Sequence, residues 1–224
     1  MSEFLRTTIA IYAKDLRLEA RTRESIVAVL VFALLSAFIF QFAFDPNPRV
    51  VATVGPGIVW VAYLFAGILG LGRTFVLERD GGTLDGLVLA PVSREAIYAG
   101  KVLGAFTLMA VVEALMLPVF VVLYDLPVIN PWFASMTLLA TLGFAAVGTI
   151  FSAIAVQTRA REVLLPLLFL PVVLPVVVAA VASSSSIFQG EGWSDFGRWF
   201  QLLLVFDTLF LVISSLAFEY VLED

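Results

Sequence analysis

The chain has 224 residues, 61% of them hydrophobic and 14% charged, with a net charge of −5 and a mean hydropathy of +1.04. Water-soluble domains run at about 45–50% apolar and about 25% charged, so an aqueous fold is excluded and lipid is the solvent for most of this chain. Cysteine and histidine are both absent, which excludes disulfides, thiolate and imidazole metal sites and the usual general base.

In chain order, the first 24 residues carry Arg6, Lys14, Arg17, Arg21 and Arg23. No short apolar core precedes a small-residue cleavage site, so this stretch is not read as a signal peptide. Phe4, Leu5, Ile9, Tyr12 and Leu16 recur at helical steps, with Lys14, Arg17 and Arg21 mostly elsewhere on the wheel. That pattern predicts an amphipathic helix lying along the membrane interface. A basic tail that only fixes orientation is the plainer alternative.

A hydrocarbon layer about 30 Å thick takes roughly 20 apolar residues per helical span. Six stretches reach that length: Ser25–Phe44, Val50–Gly72, Val102–Tyr124, Trp132–Val156, Val163–Ala182 and Trp199–Phe218. Backbone groups in lipid must bond within their own segment, and the short alternating segments of a barrel are missing, so these are expected to be helices. The expected fold class is an all-α polytopic membrane protein. It is one transmembrane domain over residues 1–224, with an interfacial segment at 1–24 and a connecting segment at 73–101. The N-terminal segment and the connections 73–101 and 157–162 hold every Lys and Arg except Arg49 and Arg198. The positive-inside rule therefore puts both termini in the cytoplasm.

The connection between spans two and three contains "ERDGGTLDGLVLAPVSREAIYAGK", Glu78 to Lys101. Gly81 and Gly82 favour a helix stop at the end of span two. Thr83 can cap a short helix with Asp85 in its first turn, where an anion suits the helix dipole. Leu84, Leu87 and Val88 give that helix an apolar side, Pro91 closes it, and Ser93 caps a helix leading into span three. A solvated loop is the alternative. There is no phosphate loop: Glu95 stands where its first glycine would be, and Val102 follows Gly100-Lys101. With no catalytic set either, the chain is expected to be non-enzymatic, and any ATP hydrolysis belongs to another chain.

Two acids lie within spans, Glu113 in the third and Asp207 in the sixth. An acid at a helix centre costs about 2.5–3.5 kcal/mol on insertion scales. A hydrogen bond to a neighbouring helix and a functional role in a wet cavity both fit. Pro166, Pro171 and Pro175 punctuate span five, as shape or as hinge. The pairs Ala66/Gly70, Gly100/Gly104 and Gly148/Ser152 allow close helix contact. In the connection from Ala182 to Arg198, Phe188, Trp193 and Trp199 fit interfacial anchors, and a partner surface is the sharper alternative.

Glu78-Arg79, Gly82-Thr83-Leu84, Leu87, Ala90-Pro91-Val92 and Gly100-Lys101 resemble the pattern of type-2 ABC exporter membrane subunits. In those proteins the segment is the coupling helix, which docks on the nucleotide-binding subunit. Longer stretches are similar to one family of them, the haem exporter B (CcmB) family of cytochrome c maturation. They are "KDLRLEARTRE" (Lys14–Glu24), Phe65–Lys101, "VVEALMLPVFVVLY" (Val111–Tyr124) and "FEYVLED" (Phe218–Asp224). The resemblance implies a bacterial inner-membrane location and partner-binding roles for Glu78, Arg79, Gly82, Thr83, Leu84, Leu87 and Pro91. It implies a CcmA-like ATPase that binds ATP, CcmC-like and CcmD-like membrane subunits, and a CcmE-like haem chaperone. Two copies of this chain are expected in the complex, with haem as cargo and no cofactor held directly. A general type-2 exporter for lipid or drug, and a membrane scaffold without a transport cycle, are the competing functions.

Overall fold

A computed structural model describes residues 3–223 apart from 45, 46, 74, 81, 83–85, 87, 88, 90 and 159. Its elements are helices: α1 (Glu3–Thr22), α2 (Glu24–Ala43), α3 (Pro48–Leu71), α4 (Val76–Asp80), α5 (Arg94–Tyr124), α6 (Pro131–Val156), α7 (Arg161–Phe188) and α8 (Trp193–Glu223). Six of them, α2, α3 and α5 to α8, are long and apolar enough to cross a membrane, as expected of a multi-pass membrane protein.

Helix α6 is the hub. It is buried nearly all round, whereas α2 and α8 bury only a narrow face. The cause is its run of small residues, among them Ala140, Gly143, Ala145, Ala146, Gly148, Ser152 and Ala153, which lets neighbouring backbones come close. At Gly148 a Cβ would stand 2.2 Å from Leu71 Cδ1, and Ser152 Oγ donates to the Leu71 carbonyl at 2.7 Å. The Gly148/Ser152 pair thus seats the end of α3 and satisfies one of its orphan carbonyls. Aromatic polar tips do similar work between helices. Trp60 Nε1 donates to Ser184 Oγ at 2.8 Å, and Tyr98 OH donates to the Ala146 carbonyl at 2.9 Å.

Several helix ends depart from the apolar stretches. Helix α3 stops at Leu71, and a turn through Gly72 and Arg73 precedes α4, so Arg79 and Asp80 of the Arg-Asp-Gly-Gly run end α4 rather than span two. Helix α5 starts at Arg94, well before the apolar residues begin. Ser93 occupies its N-cap position, but the side chain makes no capping bond. Helix α7 runs unbroken through its three prolines and on through the serines to Phe188. Ser184 there donates to the Ala180 carbonyl at 2.7 Å, an internal partner that lets the helix continue. The connection expected between Ala182 and Arg198 shrinks to residues 189–192, where Gly190 takes φ +75°.

Only Arg23, at φ 56°, separates α1 from α2; its N–H closes α1 on the Glu19 carbonyl at 2.7 Å. Helix α1, helix α4, the start of α5 and the end of α8 gather at one end of the bundle. The α6–α7 connection joins them there, as Gln157 Nε2 donates to the Val221 carbonyl at 2.6 Å. The opposite end carries Trp132, Trp193, Phe196 and Phe200, whose ring centroids lie 5.4 to 6.2 Å apart. Trp132 and Trp193 are about half exposed there, while Phe188 packs on Phe133.

Candidate functional site

The glycine pair of α5 determines where α1 lies. A Cβ on Gly100 would stand 2.8 Å from Ile11 Cβ and 3.0 Å from the Thr8 carbonyl, so only glycine admits α1 at this distance. Thr8 and Ile11 are accordingly the buried residues of α1. The apolar residues Phe4, Leu5 and Ile9 are exposed instead.

One turn along, Asp15 comes over Gly104 and meets the residue between the two glycines, Lys101. The Lys101 side chain is 1% exposed and ion-pairs with Asp15 Oδ2 at 3.0 Å and with Glu78 Oε1. Its ammonium also stands 4.9 Å from the centre of the Phe75 ring. Lys14 closes the ring of charges, 2.8 Å from Asp15 Oδ1 and 2.5 Å from Glu78 Oε1. Two ammoniums and two carboxylates from α1, α4 and α5 thus form a neutral cluster. Burying an ammonium costs several kcal/mol, which two carboxylates and an aromatic face together can offset. Burial also works against the charge on Lys14, but its hydrogen bonds with Asp15 and Glu78 outweigh that and hold its pKa above the ordinary lysine value. Phe218 of α8 packs on Phe75 and Tyr98 at centroid distances of 6.2 and 5.4 Å, so the last helix is fastened to the same node.

The sequence-predicted site residues fall into three groups. Glu78 lies in α4 with its carboxylate turned inward to the node, so it holds the segment rather than facing outward. Arg79, Gly82 at φ +66° and Pro91 are exposed. Thr83, Leu84 and Leu87 lie outside the described residues; around them Gly86 and Leu89 are helical, and Leu89 is 82% exposed. Lys14, Asp15 and Lys101 were missed as site residues. The available signal was that Lys14-Asp15 opens one stretch carrying the resemblance and Lys101 closes another, while Phe218 begins a third.

The two intramembrane acids do not meet. Glu113 of α5 is buried, and Thr141 Oγ1 of α6 lies 2.8 and 2.7 Å from its two carboxyl oxygens. Tyr63 OH donates to the Glu113 carbonyl at 3.1 Å. Asp207 of α8 abuts Gly143, its Oδ1 2.6 Å from where a Cβ would stand, and neither oxygen has a hydrogen-bond partner among the described residues. Thr141 and Gly143 lie two residues apart on α6, about 200° around the helix, so the acids flank opposite sides of it. Opposite mutational effects are expected. Thr141→Val strips the partner of Glu113 and should destabilise by about 1–3 kcal/mol. Asp207→Leu replaces an unpartnered acid with a hydrocarbon of similar branching and should raise the thermal midpoint. Melting of the detergent-solubilised protein checks both.

Comparison with known proteins finds relatives over nearly the full length of the chain. The sequence profile of the family described as "CcmB protein" matches residues 6–223. "Heme exporter protein B" of Paracoccus denitrificans is 33% identical over 170 residues, covering 75% of this chain and 78% of that one. The protein of the same name from Bradyrhizobium diazoefficiens is 28% identical over 209 residues, 93% of each chain. That from Pseudomonas aeruginosa is 29% identical over 188 residues, 84% of each. A match from α1 to the end of α8 takes in the charged node and every span: the chain belongs to the CcmB protein family.

Proposed function

We propose that this chain is the membrane subunit of an ABC-type haem exporter in a bacterial inner membrane, with both termini cytoplasmic. The observation that carries the reading is the node of Lys14, Asp15, Glu78 and Lys101 at the root of the 73–101 segment. A segment that receives force from a partner must be fixed at its base, or motion is lost in bending. Here α4 is pinned to α1 and α5 by buried charges, while Arg79 near its end and Gly82, Leu89 and Pro91 beyond it stay exposed. In this proposal Thr83 to Leu89 is a coupling helix docked on a CcmA-like ATPase, which binds the ATP. Helix α1 lies in the interface, its exposed residues Phe4, Leu5, Ile9 and Leu16 in contact with lipid.

Haem is the cargo of the assembly rather than a resident group. The chain offers no histidine or cysteine to hold it, so its own part is mechanical: it converts ATP hydrolysis into movement that releases a haem-loaded, CcmE-like chaperone. CcmC-like and CcmD-like membrane subunits complete the partner set, with two copies of this chain. Affinity purification of the full-length chain from its native membrane tests the assembly. An ABC ATPase and a haem-carrying membrane subunit should co-purify in fixed ratio; recovery of the chain with neither would refute the proposal.

A further inference from the structure

Helix α1 leans on α5 and leaves a gap toward α2 and α3. That gap is a cavity of about 100 Å³ within a concavity of about 800 Å³ that includes its open side. We propose that it is a specific site for one phospholipid with a primary-amine zwitterionic headgroup, of the phosphatidylethanolamine type. The site does not depend on the haem-export reading, only on the chain lying in a bilayer.

The walls divide by chemistry. Leu16 and Leu18 of α1 and Val111 of α5 line the cavity while remaining 40–41% exposed, so they present hydrocarbon that no protein residue covers. An acyl chain along them fills the gap beside α1 and packs on that hydrocarbon by dispersion contact. At the polar end, the charges of Lys14, Asp15, Glu78 and Lys101 are engaged with one another. Two other charges line the same cavity. The Arg73 guanidinium is exposed and makes no ion pair or hydrogen bond among the described residues. Glu19 uses Oε1 to accept the Ile26 N–H at 2.9 Å, and its other oxygen has no partner among the described residues. One open cation and one open anion match a phosphate joined to an ammonium. Choline carries no N–H donor for Glu19, and phosphatidylglycerol offers it only neutral hydroxyls, a weaker match than an ammonium. Haem fits poorly: the one sulfur in the lining belongs to Met109, whose methyl packs into the notch at Gly67.

Native mass spectrometry of the full-length chain, titrated with dioleoyl phosphatidylethanolamine, phosphatidylcholine and phosphatidylglycerol, tests the site. One ethanolamine lipid should be retained about tenfold more tightly than either of the others, the value of one charge-assisted hydrogen bond. Glu19→Gln, which keeps the acceptor for Ile26, should erase that preference over phosphatidylcholine. Arg73→Gln should weaken all three lipids. Leu18→Trp, which puts a bulky ring on the cavity wall, should abolish retention while circular dichroism stays helical. Equal retention of the three lipids, a preference untouched by Glu19→Gln, or stoichiometric haem uptake that the lipid displaces would each overturn the assignment.

Discussion

Lys101→Met is expected to destabilise the protein by about 3–5 kcal/mol, the usual cost of removing one partner from a buried ion cluster. Methionine keeps an unbranched apolar side chain of similar length beside Phe75, so the loss reports the charge. With the ammonium gone, Glu78, only 8% exposed, and Asp15 share Lys14 alone, and like charges face each other across the vacated space. Adding Glu78→Gln to Lys101→Met should return a large part of the loss, because the second carboxylate then no longer needs a counterion. Thermal or denaturant melts of the solubilised protein measure both. A Lys101→Met protein as stable as wild type would mean the cluster does not hold α1 and α4 in place. The raised pKa of Lys14 adds a pH signature. Its stabilising contribution is complete below the pKa of an unfolded lysine and is lost as pH rises through the higher folded value. Loosening should therefore begin only in strong alkali, leaving the node unaffected near neutrality.

Leu84→Asp and Leu87→Asp are expected to abolish co-purification of the ATPase while leaving the thermal midpoint of the isolated chain unchanged. In the proposed docking each change brings a charge into an apolar groove with no counterion, at about 3–5 kcal/mol of binding free energy, or upward of a hundredfold in affinity. The contrast with Lys101 is the point: one variant damages the chain, the others only its contact. Survival of the ATPase through both leucine substitutions would move the docking surface elsewhere.

The six spans were legible because twenty apolar residues in a row have one solution in lipid, and the amphipathic period of α1 was equally plain. How α1 packs was not. Phe4, Leu5 and Ile9 of its apolar stripe are exposed, and the seat is made by Gly100 and Gly104, whose spacing alone carries no address. Helix ends were misjudged where polar residues found internal partners, as Ser184 did in α7, or where a turn at Gly72 and Arg73 split α4 from α3. The node was the least legible feature. The Lys14-Asp15 pair, Glu78 and Lys101 are far apart in sequence, and ion pairs at that separation leave no periodicity to read. Glu78 was expected to bind a partner subunit; the fold turns its carboxylate toward Lys101.

The most direct test of the central claim, that this chain passes ATP-driven motion through the node to haem-linked work, is the ATP turnover of the purified complex with haem-loaded and with haem-free chaperone. The wild-type complex should hydrolyse ATP faster with the loaded chaperone and release it, and Lys101→Met should reduce that difference to nothing. Equal turnover with the two chaperone forms in the wild-type complex would contradict the account.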